Sequence, residues 1–171
     1  MDFVVLVDNK DRELGTMEKM EAHEKGLLHR AFSVFLFNKK GEMLLQRRAL
    51  DKYHSAGLWT NACCSHPKPD EEVQSAANRR LGEELGISAE LNHQFSFYYK
   101  SDYENGLSEH ELDHVFFGNF DEEPQLNPEE AMDWKYMAMD DLIKSLKETP
   151  EQYTTWFEIC MPRVLEHLKT A

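Results

Sequence analysis

The chain has 171 residues, the size of one domain, and three Trp, six Tyr and ten Phe give it material for a core. A formal net charge of −13 excludes nucleic acid and anionic membrane as partners, because a footprint on phosphates needs a basic face. An anionic small molecule therefore needs a local basic pocket, for which Lys19, Arg47, Arg48, Lys52, Lys68, Arg79 and Arg80 are the candidates.

The first residues, M-D-F-V-V-L-V-D, are too short and too acidic for a signal peptide, and no apolar run reaches the length of a membrane span. Three cysteines make no disulfide framework, and a bridge between the neighbours Cys63 and Cys64 would be strained. The expectation is one domain over residues 1–171 in a reducing cytoplasm, as a monomer or weak homodimer.

In chain order, Phe3–Val7 reads as a short strand and Thr16–His29 as a polar loop with at most a helical turn. Ala31–Phe37 is a buried strand by composition; Asn38–Gly41 is a turn, and Glu42–Arg47 returns to make a hairpin. A basic loop follows, Arg48–Gly57, and Leu58–His66 is extended. Asp70 is placed to cap a helix that runs to Leu85 and stops at Gly86, with Val73, Ala76, Ala77 and Leu81 on one face. Glu90–Lys100 and Glu109–Phe120 are long strands, and Asp133–Met139 is a short one. Pro150 opens a last helix whose Tyr153, Trp156, Phe157, Cys160, Met161, Val164 and Leu168 recur at core-facing spacing. The order β–β–β–α–β–β–β–α predicts the α/β class in its α+β form, a mixed sheet sandwiched between helices.

Five groups make a candidate metal site. Glu109 and Glu111 are two apart on a strand, so they share a face, and paired carboxylates are costly there without a cation. His23, His29 and His66 complete a three-imidazole, two-carboxylate set that suits Mn²⁺ or Mg²⁺, or Zn²⁺ at higher coordination. Taken alone, His23 and His29 are ordinary polar-loop residues, as are His93, His110 and His167. His54 fits either role, and His114 is a core or surface residue opposite Glu111. Glu84, near a helix C-terminus that disfavours acids, is a candidate for a second metal. Cys64 shares an extended face with His66; a thiol beside a metal ligand and basic side chains is expected to have a depressed pKa and to act as acid, base or nucleophile. Tyr99 and Trp156 are core residues by default, although an indole face can stabilise a cation.

The stretch Ser65–Ile87 resembles the Nudix box, with Glu71, Arg79, Leu81, Glu83, Glu84, Gly86 and Ile87 in place. Ser65 stands where Gly is usual and Arg80 where Glu is usual. Together with L-H-R-A-F-S-V-F-L-F-N (28–38), Q-R-R-A-L-D-K (46–52), G-L-W-T-N-A-C-C-S-H-P (57–67) and E-H-E-L-D-H-V-F (109–116), it is similar to type I isopentenyl-diphosphate isomerases, metal-dependent and flavin-independent enzymes on a Nudix fold. The resemblance implies His23, His29, His66, Glu109 and Glu111 as metal ligands for Mn²⁺ or Zn²⁺ and Cys64, Glu111 and Tyr99 as catalytic residues. It implies Trp156 over the dimethylallyl group, and Lys19, Arg48, Lys52, Ser65 and Arg80 around the diphosphate. Glu84 and the Cys64 carbonyl match the site of a substrate-borne Mg²⁺. The implied reaction protonates an alkene to a tertiary carbocation and removes a neighbouring proton, from opposite faces of a prenyl diphosphate. Competing readings are a Nudix hydrolase of a nucleoside diphosphate derivative, a non-catalytic metal-binding module, and a redox role for Cys63–Cys64, which lacks C-x-x-C spacing.

Overall fold

The computed structural model describes residues 2–52, 54–103 and 105–169. Its elements are β1 (Phe3–Val7), β2 (Glu13–Glu18), α1 (Lys19–Lys25), β3 (His29–Phe37), β4 (Met43–Arg48), β5 (Trp59–Thr60), β6 (Cys63–Ser65), α2 (Val73–Leu85), β7 (Leu91–Asp102), β8 (Ser108–Asn119), β9 (Ala131–Met137), α3 (Met139–Glu148) and α4 (Thr155–Lys169). The strands form one mixed sheet in which β3 runs parallel to β8 and antiparallel to β6, and β4 lies between β5 and β9.

β3 is covered on both faces, which is why its sequence is apolar throughout rather than alternating. Phe32, Val34 and Leu36 point to α2 and pack with Ala76, Ala77, Leu81 and Leu85. Phe35 points the other way, with Met43, Leu45 and Val115, onto Leu142 of α3 and Phe157, Met161 and Val164 of α4. Burying each large apolar side chain contributes about 1.5–3 kcal/mol, so these two clusters hold the helices to the sheet. The sandwich of helices around a mixed sheet is the expected one.

Several local expectations needed correction. Thr16–His29, expected as a loop, instead holds the end of β2, all of α1 and the first residue of β3. β2 (E-L-G-T-M-E) is largely exposed and pairs with β1 through its backbone, and its Leu14 and Met17 do not alternate, so no strand period marks it. α1 is two turns long, capped by the Glu18 side chain on the Glu21 N–H (2.9 Å) and ended by Gly26 at φ 63°. The β3–β4 hairpin opens at once: only Phe37 and Met43 pair, because each strand takes other partners. Leu58–His66 divides into β5 and β6. Asp70 does not cap α2; it sits at φ 66°, and Glu72 is the N-cap, without a side-chain hydrogen bond. α3 was not expected, although Met139, Leu142, Ile143 and Leu146 recur at i, i+3, i+4 and i+7, and Met139, Leu142 and Leu146 pack on the core. Pro150 opens a short 3₁₀ turn, and α4 proper starts at Thr155. Gly86 ends α2 as expected, at φ 63°, and a Cβ there would lie 3.0 Å from Gln125 Cβ.

Candidate active site

Strand register assembles the site. β3 and β8 pair His29 with Glu111, and β7 and β8 pair Tyr99 with Glu111. All three side chains therefore share the sheet face that α4 covers. β6 sets Cys64 opposite Ser33 and Cys63 opposite Val34, so the adjacent cysteines face opposite ways. Cys64 joins the Glu111 side. Cys63 turns toward α2, where its thiol donates to Glu84 Oε2 at 3.0 Å. α1 brings His23, and His66 follows β6 directly.

The donor atoms of His23, His29, His66, Glu109 and Glu111 all lie within 4.8 Å of one another. His66 Nε2 is 2.6 Å and His29 Nε2 3.2 Å from Glu111 Oε2, and the two imidazole nitrogens are 3.2 Å apart. His23 Nε2 is 3.2 Å from Glu109 Oε2. His29 Nδ1 is 2.9 Å from the Leu27 carbonyl, so the ring donates there and turns a lone pair on Nε2 inward. Imidazole lone pairs and carboxylate oxygens converging on one buried point repel each other unless a cation joins them. This donor set fits a divalent ion.

The charges respond accordingly. Burial opposes the charged form of His29, but the Glu111 carboxylate outweighs it and raises the ring. Burial also opposes ionised Glu109, yet hydrogen bonds from Glu111, His23 and His54 hold it well below the usual carboxylate range. Burial, and then the Glu111 charge, push the Tyr99 phenol far up, so it stays a donor; its hydroxyl lies 2.6 Å from Glu111 Oε1.

The thiol departs from expectation. Burial, and then the Asp113 carboxyl, push Cys64 up rather than down, and its hydrogen bonds with Ser33 and Asn61 do not offset them. Cys64 is a neutral thiol that donates to Asn61 Oδ1 at 3.0 Å, with Ser33 Oγ 3.4 Å away. Asn61 Nδ2 donates to the Val34 and Cys63 carbonyls, which fixes its oxygen toward the thiol. Ser33 Oγ donates to Asp113 Oδ2 at 2.7 Å, and burial raises that carboxyl well above its normal range. The Cys64 sulfur stands outside the five clustered donors, and so does Glu84. Glu84 is buried and raised by that burial, holding Arg80 (3.3 Å) and Gln46 (3.2 Å).

Lys19, Arg48, Lys52, Cys64, Ser65, His66, Arg80, Glu84, Tyr99, Glu109, Glu111 and Trp156 line one cleft. His23 and His29 lie beneath it, buried. The site residues that the resemblance implies are thus at the cleft or directly below, whereas Arg47, Lys68 and Arg79 of the basic candidates do not line it: Arg79 pairs with Glu71 and Glu83, and Arg47 donates to the Gly57 carbonyl. Arg48 rests over the Trp156 ring, 5.0 Å from its centre. Two further lining residues went unassigned: His54, whose Nε2 is 2.9 Å from Glu109 Oε1, and Glu130, which pairs with both Lys52 and Arg80. Asn61 and Asp113 also escaped notice. Asp113 continues the two-residue spacing of Glu109 and Glu111, a signal that was legible; Glu130 has none beyond its charge. His93 and His114 contact each other at 3.0 Å, away from the cluster, while His110 meets the Gly26 carbonyl and His167 meets Gln94.

Residues 27–157 match the NUDIX domain family. The chain is 51% identical to isopentenyl-diphosphate Delta-isomerase 2 of Aromatoleum aromaticum over 96% of its own length and 87% of the relative's. It is 49% identical to the isopentenyl-diphosphate Delta-isomerase of Pectobacterium atrosepticum, over 96% and 92%. Among solved structures it resembles DR0079 of Deinococcus radiodurans (TM-score 0.79, 18% identity, covering 95% of this chain and 98% of that one). The MutT protein of Methanosarcina mazei is also similar (0.68, 21%, 83% and 96%), and at these identities both show the fold alone. With a Nudix fold, a five-donor cluster and curated relatives at about half identity across nearly its whole length, the chain belongs to the isopentenyl-diphosphate Delta-isomerase family of the NUDIX superfamily.

Proposed function

We infer that the chain interconverts isopentenyl diphosphate and dimethylallyl diphosphate. One observation carries the site assignment: Cys64 and Glu111 line the same cleft, and Tyr99 donates to the Glu111 oxygen that faces away from His29 and His66. Two acid/base groups in one pocket are what a proton-in, proton-out reaction needs.

One group delivers a proton to the terminal alkene carbon, which leaves a tertiary carbocation. The other takes a proton from the carbon nearer the diphosphate, and its electron pair forms the new double bond. No bond to oxygen or phosphorus breaks. We assign Cys64 to one face of the alkene and Glu111 with Tyr99 to the other. The neutral thiol suits a proton carrier, and the Tyr99 hydroxyl keeps a hydrogen bond on Glu111 through the change. His23, His29, His66, Glu109 and Glu111 would hold the divalent ion, which supplies charge that fixes Glu111 and adjusts its acidity. The Trp156 indole already carries a guanidinium over its face and suits a carbocation in the same way. Lys19, Arg48, Lys52, Ser65 and Arg80 would bind the anionic end of the substrate, and Glu84 would take the Mg²⁺ that arrives with the diphosphate.

Arg80 separates this reading from diphosphate hydrolysis. It replaces a carboxylate with a cation that anchors the tail without activating water. Incubating the metal-replete protein with isopentenyl diphosphate should give the allylic isomer and no orthophosphate. Orthophosphate released from a nucleotide, without isomerisation, would favour the hydrolase. Arg80→Glu should raise KM about 10–100-fold, since it loses a charge-assisted contact and adds repulsion; steady-state kinetics showing an unchanged KM would remove Arg80 from the anchor.

A further inference from the structure

His54 fits two roles on sequence alone, and its surroundings in the fold select one. It lies between β4 and β5, on the segment that also carries Lys52. Its side chain is buried. Nε2 is 2.9 Å from Glu109 Oε1, whereas Glu109 Oε2 faces His23 Nε2 at 3.2 Å. The two oxygens of one carboxylate therefore meet different partners, one outside the five-donor cluster and one within it. Ser55 Oγ lies 3.2 Å from Nδ1 and can donate to it, which leaves the ring hydrogen on Nε2.

The ring is also held in place. It stacks on Tyr103 (centroids 4.5 Å apart, 9° between planes) and meets Trp156 edge-on (5.7 Å, 76°). The His54 carbonyl accepts from Arg48 Nη2 at 3.2 Å. Ser55, at φ 54°, takes the left-handed conformation that few residues other than glycine adopt, and it turns the chain back at this point. A surface histidine needs none of these restraints.

We propose that His54 is a positioning residue for Glu109: it donates its Nε2–H to Oε1, so that Oε2 is the oxygen offered to the divalent ion. The inference rests on the metal reading above. A carboxylate left to rotate offers either oxygen and must lose that freedom on binding. Fixing it beforehand raises affinity, and removing such a partner typically costs about 10–100-fold in metal binding. Neutral imidazole suffices for the donation. The aromatic slot that orients the ring also joins the metal ligands to Trp156, beside the expected alkene position.

The test is Mn²⁺ affinity of the full chain, stripped of metal by chelation and titrated while electron paramagnetic resonance follows the free hexaaqua ion. His54→Phe keeps the stacking and loses the donor; His54→Gln keeps an N–H near Oε1 and loses the ring; His54→Ala loses both. Alanine and phenylalanine should each weaken Mn²⁺ binding about 10–100-fold, and glutamine should stay within a few-fold of wild type. Wild-type affinity in the phenylalanine or alanine variant overturns the proposal, as does glutamine binding no better than phenylalanine. Glu109→Gln and His66→Ala serve as references. If they also keep wild-type affinity, the metal site itself is wrong; if they lose Mn²⁺ while the His54 variants do not, only the role of His54 falls.

Discussion

Cys64→Ala should slow isomerisation by at least about 10³-fold while leaving divalent metal bound. The magnitude follows from the task. An unactivated alkene is a weak base, and the thiol is the group assigned to one of its two faces, so its loss removes the proton carrier there. The selectivity follows from geometry, because the sulfur is not one of the five clustered donors. The fold should tolerate the change. Asn61 keeps its two carbonyl partners and its contact from the Thr60 hydroxyl, and Ser33 keeps Asp113, so the change removes only the thiol's own contacts with Asn61 and Ser33. Paired measurements of turnover and Mn²⁺ content decide it: turnover within tenfold of wild type would take Cys64 out of the chemistry.

Glu111→Gln should lose both properties together. Glu111 Oε2 meets His29 and His66, and Oε1 accepts from Tyr99. An amide at this position offers a weaker donor to the ion, presents an N–H to one of these partners, and accepts no proton. Metal affinity should fall by more than the 10–100-fold typical of outer-shell changes, and kcat at saturating metal by at least about 10²-fold. Isothermal titration with Mn²⁺ and steady-state kinetics report the two effects separately. Full activity with loosened metal would make Glu111 a ligand only; full activity with tight metal would contradict both roles.

How much of this was legible in the sequence varies with the physics of each part. β3 could be read because both its faces are buried, which leaves an unbroken apolar run. α2 and α4 could be read because each lays one periodic apolar stripe on the sheet. β2 could not, because it pairs with β1 through its backbone and most of its side chains are exposed; α3 could have been, because Met139, Leu142, Ile143 and Leu146 form the same kind of stripe on a shorter helix. The i, i+2 pair Glu109 and Glu111 pointed to the five-donor cluster, and Arg80 was the visible departure from the Nudix box. The residues that support these groups were harder. Asn61, Asp113 and Glu130 act on neighbours distant in sequence, and only the β3–β6 and β3–β8 registers bring Cys64, Ser33 and Asp113 together. Thiol acidity was misjudged for a similar reason. Burial of the sulfur dominates, and the Asp113 carboxyl adds to it.

The most direct test of the central claim follows isopentenyl diphosphate by NMR in deuterated water, with Mg²⁺ and Mn²⁺ present. The expected product is dimethylallyl diphosphate that carries solvent deuterium in a methyl group, with the diphosphate intact. An allylic product free of deuterium, or orthophosphate with no allylic product, would contradict it.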